Sequence, residues 1–351
     1  MTSTSTASPS SAPRVSDIPS TVPATMTAIV QRGYGDTEVL HLDRAPMPAP
    51  GADQVLVRVH AAGLDRGVWH IMAGLPYIVR PMFGMTTPRQ PVPGMDVAGT
   101  VAAVGTDVTA FAVGDRVFGT AAGTFAEYTV ADATTLARMP EGVSFDEAAA
   151  LPVSGLAALE AVRTHGRVRA DQRVLVTGAS GGVGCYAVQL AAAAGAEVTG
   201  VASAAKADLV RSCGAAHTID YATTDVTTLT ERYDVIIDIN GRLPLGRLVR
   251  TLTATGTLVI VGGEDGGSLT GGIHRQFGAR LRSAFTRRRL GFFLSDESGA
   301  LLPELTDLVA AGTLRSTVDR DHIYPLDEVA TAIAALSAGR VRGKAVIHIA
   351  D

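Results

Sequence analysis

The feature that most constrains this chain is the run RVLVTGASGGVGCYAVQ at residues 173–189. Val174, Leu175 and Val176 predict a short strand covered on both faces, since such strands read as continuous apolar runs. A glycine-dense turn follows, with Gly178, Gly181, Gly182 and Gly184. Beyond it Val183, Tyr186, Ala187, Leu190, Ala191 and Ala194 recur at helical spacing. Strand, glycine turn and helix together open a βαβ nucleotide-binding unit. A pyrophosphate needs a backbone free of intervening Cβ atoms, and a helix N-terminus offers it unpaired N–H groups. Gly178, Ser180, Gly181, Gly182, Val183 and Gly184 are therefore the expected cradle of a dinucleotide.

A chain of 351 residues accommodates two domains, and 46% hydrophobic with 18% charged residues is ordinary for a globular enzyme. The formal net charge of −4 argues against nucleic acid or an acidic membrane as partner. No apolar run approaches the ~18 residues that a membrane span needs. Cys185 and Cys213 are the only cysteines, too few for a disulfide framework or a four-cysteine zinc site, and a reducing cytoplasm is the expected location. Residues 1–25, rich in Ser, Thr, Pro and Ala, have no apolar segment of a secretory signal and read as disordered, with an organelle-targeting leader as the alternative that a single arginine supports thinly. Of 30 basic residues only Lys206 and Lys344 are lysines, which draws attention to both.

The segment before the glycine turn is β-rich. Residues 27–32 and 39–43 read as strands about the Gly33–Gly35 turn. Residues 54–62 (QVLVRVHAA) set Val55, Val57 and Val59 against Leu56, Arg58 and His60, which predicts a strand with one buried face. Residues 64–73 suggest a short helix ended by Gly74, and the Pro- and Met-rich loop 75–93 is long enough to suggest a functional role. Short strands at 94–104, 116–119 and 126–130 follow, with turn signals at the spacing of a barrel-like domain. Ser144 with Glu147 forms a capping-box pattern. From residue 171 strands and helices alternate, as in a parallel, doubly wound sheet, with a sixth strand expected at residues 280–285. The last strand, residues 345–349, is expected to return to the β-rich part.

That order of motifs resembles the medium-chain dehydrogenase/reductase superfamily, and within it the zinc-independent quinone oxidoreductase-like branch. The resemblance rests on AAGLDRGVWHIMAG (61–74), PVPGMDVAGTVAAVG (91–105), VGDRVFG (113–119), GTFAEY (123–128), LPVSGLAAL (151–159), GASGGVG (178–184), and the closing PLDEVATAIAAL and GKAVIHI. TGASGGVG also fits the glycine pattern of short-chain dehydrogenases. Those need a Tyr-x-x-x-Lys pair, whereas Ala202 and Arg340 stand four residues before the two lysines. The fold implied is a Rossmann sheet (residues 151–315) inserted into a β-rich GroES-like catalytic domain (26–150 and 316–351).

The resemblance places Asp65 where zinc-dependent relatives have a first cysteine ligand, Met95 where they have histidine, and Ser154 in the region of the third ligand. A thioether is a poor zinc ligand, so no metal is expected. Strand two ends at Ser203 with no carboxylate to bind a ribose hydroxyl. Ser203 and Lys206 match the family's S-x-x-K segment for the 2′-phosphate of NADP, although Lys206 also reads as an ordinary helix lysine. Tyr221, Asn240, Gly262 and Lys344 complete the implied NADP(H) site. Tyr77, Asp65 and His70 are the catalytic candidates, none of them singled out as proton donor. Arg287, Arg288 and Arg289 read as a solvated basic turn, or as groups that contact phosphate or close the cleft. The function implied is hydride transfer from NADPH to a quinone or an α,β-unsaturated carbonyl, in a homodimer whose edge includes the sixth strand. Two alternatives remain: an alcohol or ketone oxidoreductase of the same fold, and a non-catalytic NADPH-binding scaffold.

Overall fold

A computed structural model describes residues 23–263, 267–283, 286–293 and 299–350. Of the N-terminal stretch expected to be disordered, residues 1–22 lie outside these described residues.

The β-rich part begins with an antiparallel hairpin of β1 (Thr25–Gln31) and β2 (Leu40–Pro46). Its centre is β3 (Gln54–Leu64), which leads into α1 (Arg66–Ala73). Gly74 closes α1 at φ +62, a left-handed cap in which glycine has no Cβ to clash. The long loop after it carries a 3₁₀ turn at Tyr77–Val79 and a single helical turn, α2 (Arg80–Phe83). Next come β4 (Asp96–Val104), β5 (Arg116–Thr120), β6 (Tyr128–Asp132) and β7 (Leu136–Arg138). β3 differs from expectation. Leu56 and His60 are buried along with the valines, because β3 pairs with neighbours on both sides and is covered on both faces. His60 stacks on Phe145 at 4.1 Å, so its polar ring is covered as well.

Helix α3 (Phe145–Ala149) starts on the predicted capping box, with Ser144 accepting from the Glu147 backbone and Glu147 from that of Ser144. Helix α4 (Pro152–Leu159) leads to the second sheet. There β8 (Arg173–Thr177), α5 (Gly182–Ala193), β9 (Glu197–Ala202), α6 (Ala207–Ser212), β10 (His217–Asp220), β11 (Tyr233–Asp238), α7 (Leu245–Thr251) and β12 (Leu252–Ile260) alternate as expected. After α8 (Gly267–Thr270) and α9 (Ile273–Ser283) comes β13 (Arg289–Phe292). The sheet order is β10-β9-β8-β11-β12-β13, all parallel. The order in which successive strands are added reverses between β8 and β11, the switch point at which open parallel sheets bind their ligands.

The sixth strand is not at residues 280–285. Residues 280–283 end α9, and 284–285 lie outside the described residues. The Arg-Leu-Arg alternation there provides no buried face, since Leu281 is 68% exposed, whereas Leu290 of β13 is buried at 4%. Arg288 is a structural tie and not a solvated turn residue: its guanidinium donates to the Thr253 and Leu252 carbonyls of β12.

The chain leaves this sheet through α10 (Leu302–Ala310) and rejoins the first part as β14 (Val318–Pro325), α11 (Val329–Ser337) and β15 (Lys344–His348). β15 pairs antiparallel with β3, which completes a seven-stranded sheet of order β14-β15-β3-β4-β5-β7 with β6 also on β3. One apolar cluster runs through both parts, from Ala61, Phe118 and Val346 to Val176, Tyr186 and Val259.

Candidate active site

The glycine turn is built around close backbone approaches. Gly178 follows β8 at φ +68, where most side chains are strained. A Cβ on Gly184 would lie 2.1 Å from the Gly178 carbonyl oxygen. Gly181 caps α5 without a side chain, and the first helical bond runs from Cys185 N to Gly181 O. The N–H groups of the opening turn have no intrahelical acceptor and point out of the helix end. A Cβ on Gly182 would lie 2.7 Å from Ser154 Oγ and 3.2 Å from the Lys344 side chain. Ser180 accepts from the Gly343 N–H at 2.8 Å, so the C-terminal strand abuts the turn. Val183 packs at the margin of the core.

At the end of β9, Ser203 opens a 3₁₀ turn and makes no side-chain cap bond. Lys206 donates to the carbonyls of Gly339 at 2.7 Å and Val341 at 2.6 Å. Burial pulls its pKa below the ordinary lysine value. An ammonium has three protons, so a third donor remains. Arg342 crosses at the same place to the Asp208 carboxylate and the Ala205 carbonyl. Tyr221 is 60% exposed beside it, with its N–H on Ala202 O at 3.3 Å.

The ends of β11 and β12 meet across glycine. Cβ atoms on Gly241 or Gly262 would lie within 3 Å of Gly263 or Ile239 backbone. Asn240 accepts from Arg242 N and stands over Gly178. A network not legible in the sequence fixes these ends. Asp238, fully buried, accepts from Thr177 Oγ at 2.7 Å and from Arg275 at 2.7 Å, and Arg275 also donates to the carbonyls of Gly241 and Leu243. Gly271, just before α9, packs on Pro76. Tyr77 is thereby held next to the β12 side of the site, half exposed, with Arg80 stacked 4.5 Å from its ring centre. His70 is oriented by the Leu75 carbonyl at 3.2 Å and by the edge of Trp69.

Asp65 and Lys344 are brought together in a buried cluster. Asp65 ends β3 as the N-cap of α1, and Lys344 starts β15. Lys344 Nζ pairs with Asp65, with Asp96 at 2.8 Å and with Ser154 Oγ at 3.1 Å. Ser154 donates to Asp65 at 2.7 Å, and Val153 N donates to Asp96 at 2.7 Å. Burial and the neighbouring Asp65 push the Asp96 carboxyl well above the usual range. Burial opposes ionisation of Asp65 and Lys344 too. For Asp65 it is outweighed by the Lys344 ammonium, which holds the carboxyl low, and for Lys344 by the two aspartates, which hold its pKa high. The two aspartates of the cluster are therefore inequivalent: Asp65 is favoured as the carboxylate beside the Lys344 ammonium, and Asp96 holds its proton more tightly than an ordinary carboxyl. Asp65 Oδ2 is buried with no hydrogen-bond partner among the described residues. The sequence marked Asp65 and Lys344 but not Asp96, whose only signal was its place in Gly94-Met95-Asp96.

Met95, next to this cluster, lines a cavity of about 460 Å³ whose wall sets Val68, Ile71, Met82, Phe83 and Val92 beside the polar Gln31, Gln54 and Asp132. The loop expected to shape a pocket supplies three of these. Neither His70 nor Tyr77 lines that cavity. Among the described residues no group of three or more His, Cys, Asp or Glu side chains is placed to hold a metal.

Comparison with known proteins gives a consistent assignment. Residues 51–141 match the family model of the alcohol dehydrogenase GroES-like domain, and residues 213–347 that of zinc-binding dehydrogenase. The chain is 31% identical over 338 residues to the chloroplastic quinone-oxidoreductase homolog of Spinacia oleracea, covering 92% of this chain and 98% of that one. It is 31% identical over 343 residues to the chloroplastic NADPH-dependent alkenal/one oxidoreductase of Arabidopsis thaliana, covering 93% and 80%. The crystal structure of Escherichia coli quinone oxidoreductase complexed with NADPH superposes with a TM-score of 0.79 at 26% identity, covering 92% and 99%.

Proposed function

Because the chain belongs to the quinone oxidoreductase-like branch of the medium-chain dehydrogenase/reductase superfamily, we propose that it is an NADPH-dependent, zinc-independent reductase of quinones or α,β-unsaturated carbonyls. Residues 151–315 hold the coenzyme, and residues 26–150 with 316–351 hold the substrate. The glycine turn suits a pyrophosphate: it combines close backbone approach, free helix N–H groups and no side chain in the way. Ser203, the third proton of Lys206 and exposed Tyr221 suit a 2′-phosphate, and no carboxylate ends β9 to repel it. NADPH bound there supplies the hydride, and the chain's own groups do the rest.

The observation that carries the zinc-free reading is the closed Asp65–Ser154–Lys344 cluster. Two positions that would offer ligands in zinc-dependent relatives are bonded to each other and to an ammonium. Without a Lewis acid, alcohol oxidation lacks strong stabilisation of the alkoxide, whereas a conjugated carbonyl accepting hydride at its β-carbon needs only hydrogen bonds at oxygen. In this reading Tyr77 donates such a bond from the loop facing the β12 end. Asp65 acts by orienting Ser154 and Lys344, and His70 borders the entrance. The apolar side of the cavity beside Met95 receives the ring or alkyl part of the substrate. We assign the protein to a reducing cytoplasm as a homodimer joined at the β13 edge. No helix among the described residues is long and apolar enough to cross a membrane.

Stopped-flow oxidation of NADPH against a panel of quinones, enones and enals, with NADH alongside and total metal measured in the same sample, tests this reading. Turnover with NADPH in metal-free protein is expected. Equal efficiency with NADH would overturn the Ser203–Lys206 assignment, and a requirement for stoichiometric zinc would overturn the zinc-free chemistry.

A further inference from the structure

The two cysteines take no part in the site described above, yet the fold brings them together. Cys185 lies in the first turn of α5 and is fully buried, and Cys213 caps the end of α6 at 7% exposure. Both belong to one apolar cluster where α5 and α6 pack together, and each thiol is the other's strongest electrostatic neighbour. They are not equivalent. Cys213 lines a cleft of about 360 Å³, bordered by Gln189, Ser212, Thr317 and the exposed Arg315 and Arg320. Cys185 does not line it.

We infer that Cys213 and Cys185 form an oxidisable dithiol, in which a hydroperoxide entering the cleft oxidises Cys213 and Cys185 then closes a disulfide. In the first step Cys213 Sγ, as thiolate, attacks the outer peroxide oxygen. The O–O bond breaks, the alcohol or water leaves with a proton, and Cys213 becomes a sulfenic acid. In the second step Cys185 Sγ attacks that sulfur, the S–O bond breaks and water leaves. Two electrons pass from the thiol pair to the peroxide. The overall change is two thiols and one hydroperoxide giving one disulfide, one alcohol and one water.

The division of roles has a second support. The neighbouring Cys185 thiol favours the thiolate at Cys213 and holds it below the ordinary range against burial, whereas Cys213 and burial together push Cys185 well above it. The attacking sulfur is thus the one facing the cleft, and the resolving sulfur stands behind it. The new bond would tie α5, which opens on the glycine turn, to the far end of the helix that follows Lys206.

The test is exposure of the full-length protein to hydrogen peroxide, followed by thiol titration under denaturing conditions and non-reducing peptide mapping. The expected result is loss of both titratable thiols, a mass lower by two hydrogen atoms, a peptide link between residues 185 and 213, and recovery with a thiol reductant. In Cys185→Ser the reaction stops at a Cys213 sulfenic acid, which dimedone captures. In Cys213→Ser the Cys185 thiol survives the same exposure. Two free thiols after treatment would overturn the inference, as would links between chains or a Cys185 that reacts equally fast in Cys213→Ser.

Discussion

Single side chains carry two testable consequences. In the proposed function Lys206 is the group that would distinguish the two nicotinamide coenzymes. Lys206→Ala should lower kcat/KM for NADPH roughly 10- to 100-fold, the worth of a charge-assisted hydrogen bond, while leaving NADH little changed. Asp96 gives a consequence in stability. Its folded pKa is raised above the unfolded value, so the native state keeps a proton that the unfolded chain releases. That contribution is full below the unfolded pKa and is lost as pH rises toward the folded one. Urea denaturation across this window should show the wild type losing about 1.4 kcal/mol per pH unit relative to Asp96→Asn. Parallel pH dependence of the two proteins would show that Asp96 is ionised in the fold. The sequence displayed Ser203 and Lys206 because they sit three positions apart in one turn. It did not display the Asp96–Lys344 pair, whose members are 248 positions apart and meet only when β15 docks on β3.

At the scale of elements, the strand–turn–helix of β8 and α5 was legible because its requirement is local. Backbone must pass close to backbone, and only glycine permits that. Gly184→Ala places a Cβ against the Gly178 carbonyl, which no rotamer change relieves. Isothermal titration should show NADPH affinity falling about tenfold or more, some 1.4 kcal/mol, with the far-UV spectrum retained. The misplaced sixth strand shows the opposite case. Arg280 to Ser283 alternate in polarity as a strand would, but a four-residue window also fits a helix end, and burial of a distant neighbour decides between them. His60 is a further instance: its polarity suggested an outward face, whereas Phe145 and the Ala350 carbonyl cover it from elements far along the chain.

For the molecule as a whole, the apolar cluster that spans both sheets makes them one thermodynamic unit. Trp69, the single tryptophan, lies in the β-rich part, whereas far-UV circular dichroism reports both parts. Their urea midpoints should coincide, and a fluorescence transition well separated from the dichroism transition would show independent unfolding. The junction also has an order in time. The coenzyme turn is translated at mid-chain, but Ser180 receives its bond from Gly343, and Lys206 is seated on Gly339 and Val341. The partners Gly339, Val341 and Gly343 all lie more than 130 positions after the groups they hold. A nascent chain can therefore shape its glycine loop early and still lack the seat against which that loop is fixed. The seat is complete only once residues 339–343 have been made, so protein lacking that segment would keep most of its mass and remain without its coenzyme.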